Sequence, residues 1–207
     1  KRQLRFNQEG QLTKDPGNAS LLLTHLPDWK GCLIRDVFAD RVLWHEQPPE
    51  MKGLARPQTG SEVQDSHLLY VQHWLARWRG ISFRKEHIAD AIVSAAEHFP
   101  RHPLRDYLDG LKWDGKPRVG KLLTTYLGAA DTEYSSEVGR SWLVSAVTRA
   151  YRPGAQVDHV LVLEGKQGAG KTSFVRMLAG DWYLGSLPDI RQKDAALLLV
   201  GRWIVEI

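Results

Sequence analysis

The residues whose types and spacing carry the plainest chemistry are Gly165, Gly168 and Gly170, followed at once by Lys171 and Thr172. The run Gly165-Lys166-Gln167-Gly168-Ala169-Gly170-Lys171-Thr172 has the form G-x-x-x-x-G-K-[ST], a phosphate-binding loop. Glycine reaches positive φ at little cost and lets backbone N–H groups approach phosphate oxygens closely. Lys171 supplies a cation for β- and γ-phosphates, and the Thr172 hydroxyl is a ligand type for Mg²⁺. Gln167, Ala169 and Ser173 complete the stretch that would touch a nucleotide. The flanks agree with the motif. Val160-Leu161-Val162-Leu163 predicts a buried strand leading in, and Phe174, Val175, Met177 and Leu178 predict a helix with a buried face leading out. That helix would turn the positive end of its dipole toward the anion. The alternative is a glycine-rich turn with an incidental Lys-Thr. The flanks favour a nucleoside triphosphate.

A second acidic partner is expected for the metal. The terminal run Trp203-Ile204-Val205-Glu206-Ile207 predicts a strand ending in an acid. An acid at the end of a strand neighbouring the phosphate-loop strand holds Mg²⁺ directly or through water. Glu206 is therefore the Walker-B-like candidate, against the alternative of a solvated carboxylate. With Lys171 it makes the pair expected to act in catalysis, and with Thr172 the pair expected to hold Mg²⁺.

Other chemistries find little support. The eight histidines are scattered and none stands in an H-E-x-x-H or similar spacing, which argues against a metal centre built of protein ligands. A G-x-S-x-G elbow is absent, and the single cysteine, Cys32, has no recognisable catalytic partner and no disulfide partner in the chain. Cysteine usage predicts a reducing, cytoplasmic compartment. No apolar run approaches the roughly 20 residues that cross a bilayer, so no membrane partner is expected. Net charge is +4 with 24 acidic residues among 28 basic ones, a balance that permits nucleic-acid contact without demanding it. Basic residues gather locally at Arg77, Arg79, Arg84 and Lys85, at Arg101, His102 and Arg105, and at Lys112, Lys116, Arg118 and Lys121. Interleaved with Trp78, Phe83 and Trp113 they suit a phosphate-contacting surface. They suit solvated helix ends somewhat better.

The remaining elements must position the loop. Asp15-Pro16-Gly17 signals a turn, and Asn18 is placed to cap a short helix through Leu21, Leu22, Leu23 and Leu26. Residues 32–38 and 41–44 predict a β-hairpin around Ala39-Asp40. Prolines and glycines from His45 to Gly60 describe a long loop. Leu68, Val71, Leu75 and Trp78 share a helical face that Gly80 terminates, and Ile88, Ile92, Ala95 and Phe99 mark another. Pro103 opens a helix carrying Leu104, Tyr107, Leu108 and Leu111. Asp114-Gly115 is a turn. A longer helix from about Ser136 to Tyr151 should bury Val138, Trp142, Leu143, Ala146, Val147 and Ala150, and Lys193 to Leu199 looks helical.

Several blocks in fixed order carry a family resemblance. They are His102-Pro103-Leu104-Arg105-Asp106-Tyr107-Leu108, then Leu111-Lys112-Trp113-Asp114-Gly115-Lys116-Pro117-Arg118. Next come Trp142 to Val147 with Arg149 and Pro153-Gly154, and then Leu163-Glu164-Gly165 with Gln167-Gly168 and Gly170-Lys171-Thr172. Lys193-Asp194-Ala195 and Trp203-Ile204-Val205-Glu206 close the series. With these residues the chain resembles the virulence-associated protein E family of phage, prophage and phage-satellite ATPases.

The resemblance implies an ATPase related to superfamily-three replicative helicases, ring-forming relatives of AAA+ proteins, with ATP and Mg²⁺ as cofactors. It assigns Gly165, Gly168, Gly170, Lys171 and Thr172 to the nucleotide and Glu206 to the metal side. The expected fold is α/β: a P-loop NTPase core of AAA+ and superfamily-three type, truncated after the Walker-B-like strand and preceded by a mostly helical N-terminal region with a β-hairpin. The expected division is 1–99 for that region, 100–155 for a helical lead-in and 156–207 for the core. Both termini look cut, so the chain is expected to bind nucleotide and to hydrolyse it poorly.

Expected partners are DNA, further copies of the chain in a homo-oligomeric ring, and a primase or other replication protein. Two other readings stay open. One is a DNA- or protein-binding module, contacting an origin, a primase or a host factor, with a regulatory nucleotide site. The other is a P-loop small-molecule kinase, disfavoured by the long helical lead-in.

Overall fold

The computed structural model describes residues 3–187 and 195–207. The chain divides into two compact units, Lys1–His102 and Pro103–Ile207.

In the first unit, α1 (Pro16–His25) starts at Pro16, whose fixed φ suits the first helical position. The N-cap is Asp15, whose side chain accepts from Asn18 N at 3.0 Å. The expected cap at Asn18 is thus displaced by three residues, and Asn18 does something else. It is buried within the helix, where its Oδ1 accepts from Arg5 N at 2.9 Å and its Nδ2 donates to Arg5 O at 2.8 Å and Thr13 O at 2.9 Å. A buried amide is tolerated because its bonds are satisfied, and here it ties the N-terminal segment to α1.

The predicted hairpin is β1 (Leu33–Asp36) with β2 (Arg41–Trp44), paired antiparallel from Leu33 opposite Trp44 to Asp36 opposite Arg41. Its turn is organised by the buried Asp36 carboxylate, which accepts from Phe38 N at 3.0 Å, Ala39 N at 3.1 Å and Arg41 Nε at 3.3 Å. Asp40 takes φ 52°, a left-handed conformation that Asp tolerates better than most residues. A short β3 (Pro100–Arg101) joins the other edge of β1 in parallel, giving the order β2-β1-β3.

Helices α2 (Asp65–Arg79) and α3 (Lys85–Ala96) complete the unit. Gly80 ends α2 in the left-handed conformation at φ 68°, as its position predicts. Helix α3 packs on both α1 and β1. The core holds Leu23, Trp29, Leu33, Trp44, Val71, Leu75, Phe83, Ile88 and Ile92. Trp29 packs edge-on against Trp74 with ring centroids 5.4 Å apart. Trp44 is fully buried, and its Nε1 donates to His67 Nδ1 at 3.0 Å. Gln64 N donates to the same nitrogen at 3.0 Å, so His67 carries its proton on Nε2, and burial lowers its pKa below 6.5. The long loop after β2 is anchored by Tyr70 OH donating to Pro49 O at 2.6 Å. Cys32 is buried, and desolvation, with Glu46 adding to it, pushes its thiol up to about 11. It is therefore an inert packing residue.

In the second unit, α4 (Pro103–Gly110), α5 (Leu122–Leu127) and α6 (Glu133–Tyr151) precede the glycine loop. Thr132 caps α6, accepting from Ser135 N at 3.2 Å, while Thr132 N donates to Ser135 Oγ at 3.1 Å. At Gly139 α6 lies directly against α5, since a Cβ there would lie 3.1 Å from Leu123 Cγ. Of the residues expected to be buried on α6, only Ala150 is; Val138, Trp142, Leu143, Ala146 and Val147 are half-buried.

After the loop come α7 (Lys171–Ala179), β4 (Tyr183–Leu184), α8 (Ala195–Leu199) and β5 (Ile204–Val205). Lys193 and Asp194, expected in the helix before β5, lie outside the described residues. β4 and β5 pair in parallel, Tyr183 with Ile204 and Leu184 with Val205. Val175, Ala179 and Ile204 form the small core here, covered by Trp142, Leu163, Phe174, Leu178, Tyr183 and Trp203.

Two expectations are corrected in this unit. Met177 does not belong to the buried face of α7 and is 84 % exposed. Helical periodicity puts Phe174, Val175 and Leu178 on one side, while Met177 falls beyond the edge of that stripe. Residues 160–163 join no ladder among the described residues, so the predicted strand lacks the hydrogen bonds that define one. Nor is the segment buried on both sides: Leu161 and Leu163 are partly buried, and Val160 and Val162 are exposed. Mixed helices with small sheets describe the molecule. Among the described residues no helix is long and apolar enough to cross a membrane.

Candidate functional site

The glycine loop runs from the segment ending at Leu163 to the first turn of α7. Gly168 and Gly170 adopt φ 82° and 80°, values that a side chain would strain. They reverse the chain so that α7 begins directly at Lys171, with Phe174 N donating to Gly170 O at 2.9 Å as its first helical bond. No side chain caps this end. The first-turn amides of a helix have no acceptor within it, which makes this end of α7 a natural acceptor of anionic oxygens. Gln167, Ala169 and Ser173 are exposed around it.

The Lys171 ammonium folds back over the loop, donating to Gly165 O at 2.8 Å and Lys166 O at 3.0 Å. These are ordinary neutral acceptors. A polyphosphate would offer the same ammonium oxygens of full negative charge, adding an ion-pair attraction that the carbonyls lack.

Thr172 and Glu206, 34 positions apart in sequence, meet: Thr172 Oγ1 donates to Glu206 Oε1 at 2.7 Å. The register of β4 with β5 brings this about. Glu206 N donates to Leu184 O at 2.9 Å and Trp203 N to Trp182 O at 2.8 Å, which extends the pairing on both sides and fixes where Glu206 emerges. The strand beside Glu206 is thus β4 and not the segment 160–163, correcting the expected neighbour while keeping the acid next to the loop.

The other carboxylate oxygen accepts from the Tyr183 hydroxyl. Hydrogen bonds from Tyr183 and then Thr172 lower the Glu206 pKa below 4.5, and the Arg176 charge adds a little. The carboxylate is therefore ionised at neutral pH. Conversely, donation to Glu206 raises the Tyr183 pKa above 10, so that hydroxyl keeps its proton. Thr172 and Glu206 together present two hard oxygen donors. That is the number from which a protein holds Mg²⁺ when phosphates and waters supply the remaining ligands.

Sequence reasoning singled out every residue above except Tyr183 and Arg176. No motif marks them: Arg176 reaches the site along α7, and Tyr183 through the β4–β5 pairing. Several clustered cations are engaged within the protein. Lys85 pairs with Asp65 at 3.0 Å, Lys121 with Asp131 at 3.2 Å, and Arg118 grips Asp114 through two bonds of 2.7 Å. Arg105 donates to Ala150 O at 2.8 Å and Tyr151 O at 3.2 Å, closing the C-terminal end of α6.

A glycine loop here reverses into a helix, with a lysine, a hydroxyl and an acid gathered at that helix start. Residues 108–207 match the family model of the virulence-associated protein E-like domain. No curated protein matches the chain.

Proposed function

We propose that the loop Gly165–Ser173 with Glu206 binds Mg²⁺·ATP, and that the chain is the ATP-binding part of a phage- or mobile-element-encoded, replicative helicase-like ATPase acting on DNA. The P-loop NTPase core of superfamily-three type expected from the sequence belongs to this proposal. The observation that carries it is the convergence of Lys171, Thr172 and Glu206 at the open N-terminal end of α7. The match of residues 108–207 to the virulence-associated protein E-like family model supports the phage association.

In this reading the loop amides and the α7 terminus cradle the phosphates, and Lys171 exchanges its two loop carbonyls for phosphate oxygens. Thr172 and Glu206 hold Mg²⁺, which when bound neutralises charge on the phosphate oxygens. Phosphoryl transfer to water asks little covalent help from protein groups, so these residues act by positioning and by charge.

The test is equilibrium binding of a fluorescent ATP analogue to the full chain, in Mg²⁺ and in EDTA, with competition by unlabelled ATP. Saturable binding that Mg²⁺ strengthens and ATP displaces is expected. Absence of saturable binding in Mg²⁺ overturns the proposal.

The unit Lys1–His102, with a core of its own, favours a second role for that part of the chain. It suits a module that contacts DNA, a primase or another replication partner while the nucleotide site acts as its switch.

A further inference from the structure

Tyr183 holds the acid of the candidate site from the side opposite Thr172. Each oxygen of the Glu206 carboxylate receives one hydroxyl, Thr172 on Oε1 and Tyr183 on Oε2. Two donors on different oxygens fix both the position and the plane of a carboxylate, whereas either alone leaves it free to rotate. The two donors come from different elements. Thr172 stands in the first turn of α7 and Tyr183 on β4, so the carboxylate is a junction between the loop helix and the sheet.

The tyrosine ring is itself located. The Arg176 guanidinium, one turn along α7 from Thr172, lies 5.4 Å from the ring centroid, within cation–π range. Gly185 also lies against the ring. A Cβ built there would lie 2.9 Å from Tyr183 Cε1, 3.0 Å from its hydroxyl oxygen and 3.2 Å from Cζ. Unlike Gly168 and Gly170, Gly185 does not have a left-handed φ. The space occupied by the tyrosine ring is what opposes a side chain there. Arg176, Tyr183 and Gly185 therefore form one support, whose hydrogen bond to the site ends on Glu206.

We propose that Tyr183 is a positioning residue for Glu206, admitted by Gly185 and braced by Arg176, and that it sets how tightly the nucleotide site takes a divalent cation. The proposal rests on the Mg²⁺·nucleotide reading given above. Groups that orient a metal's carboxylate ligand are worth about 10- to 100-fold in metal affinity when removed. Tyr183→Phe deletes the hydroxyl and keeps the ring, its packing on β4 and its contact with Arg176. Gly185→Ala keeps the hydroxyl and displaces the ring.

The experiment is a Mg²⁺ titration of the full chain at fixed fluorescent ATP analogue, for wild type and both variants, with nucleotide affinity in EDTA and thermal melting measured alongside. Tyr183→Phe is expected to raise the half-saturating Mg²⁺ concentration by about 10-fold or more, with EDTA affinity and melting unchanged. Gly185→Ala is expected to shift it in the same direction. A wild type that binds nucleotide in a Mg²⁺-dependent way, with a Tyr183→Phe variant that matches it, overturns the role of Tyr183 alone. A shift that appears equally in EDTA also overturns it, because the hydroxyl would then serve the loop and not the cation. A wild type without Mg²⁺-dependent nucleotide binding overturns the parent reading and this role together.

Discussion

Lys171→Ala should lower affinity for Mg²⁺·ATP by about 10- to 100-fold, the loss expected when a charge-assisted contact to phosphate worth about 1.5–3 kcal/mol is removed. The thermal stability of the chain should hardly change. The ammonium is partly exposed and bonds two loop carbonyls, Gly165 O at 2.8 Å and Lys166 O at 3.0 Å, which water can replace. The combination matters more than either half. A variant that loses binding and stability together would mean that Lys171 organises the loop, and a variant that keeps binding would mean that the ammonium does not reach phosphate. Calorimetric titration with ATP and a thermal melt of each protein separate these cases.

The second large effect concerns folding, and it lies in the other unit. Trp44→Ala should destabilise the unit Lys1–His102 by about 3–5 kcal/mol, the usual range for deleting a buried tryptophan. Its ring is fully buried between Trp29, with centroids 6.2 Å apart, and His67, and its Nε1 bond to His67 Nδ1 is lost with it. For a unit of this size the melting temperature should fall by more than about 10 °C.

A pH dependence accompanies that cluster. Folding lowers the His67 pKa below 6.5, so as pH falls through 6.5 the unfolded chain takes the proton first. The stabilising contribution is thus complete above pH 6.5 and is lost progressively below it. Melts of wild type across pH 5 to 8 should show this decline, and His67→Gln should flatten it. A Trp44→Ala protein that melts within a few degrees of wild type would mean that the tryptophan cluster is not the keystone of this core.

The site was legible in the sequence to the extent that it is written in consecutive residues. Gly165 to Ser173 announce a loop because backbone conformation and phosphate chemistry both select those residue types at that spacing. Glu206 was legible as an acid closing an apolar strand, and the structure brings it to Thr172. Its strand neighbour was not legible. The apolar run 160–163 was the natural candidate by composition, but pairing is settled by which backbones meet, and β5 meets β4.

Tyr183 and Gly185 were invisible for the same reason. Glycine at 185 serves a ring two residues away, and no local rule signals that. Periodicity found the α2 face and Ile88, Ile92 and Ala95 of α3 because one side of each helix packs on a core, but Phe99 lies beyond the end of α3. It overreached at Met177, where a short helix covers only a narrow stripe. Asn18 shows a different limit. A polar residue near a helix start is ordinarily a cap, and three partners on the N-terminal segment were needed to explain why this one is buried. Arg105, part of the family resemblance, turns out to close α6, so a residue that helps to recognise a family can serve its architecture.

Amide hydrogen exchange of the full chain with and without Mg²⁺·ATP tests the central claim most directly, because it locates a ligand without assuming where it sits. The account predicts slowed exchange in segments covering 165–173 and 203–207, with smaller effects at 183–185 and none across residues 3–102. Protection confined to residues outside 160–207, or none at saturating nucleotide, would contradict it.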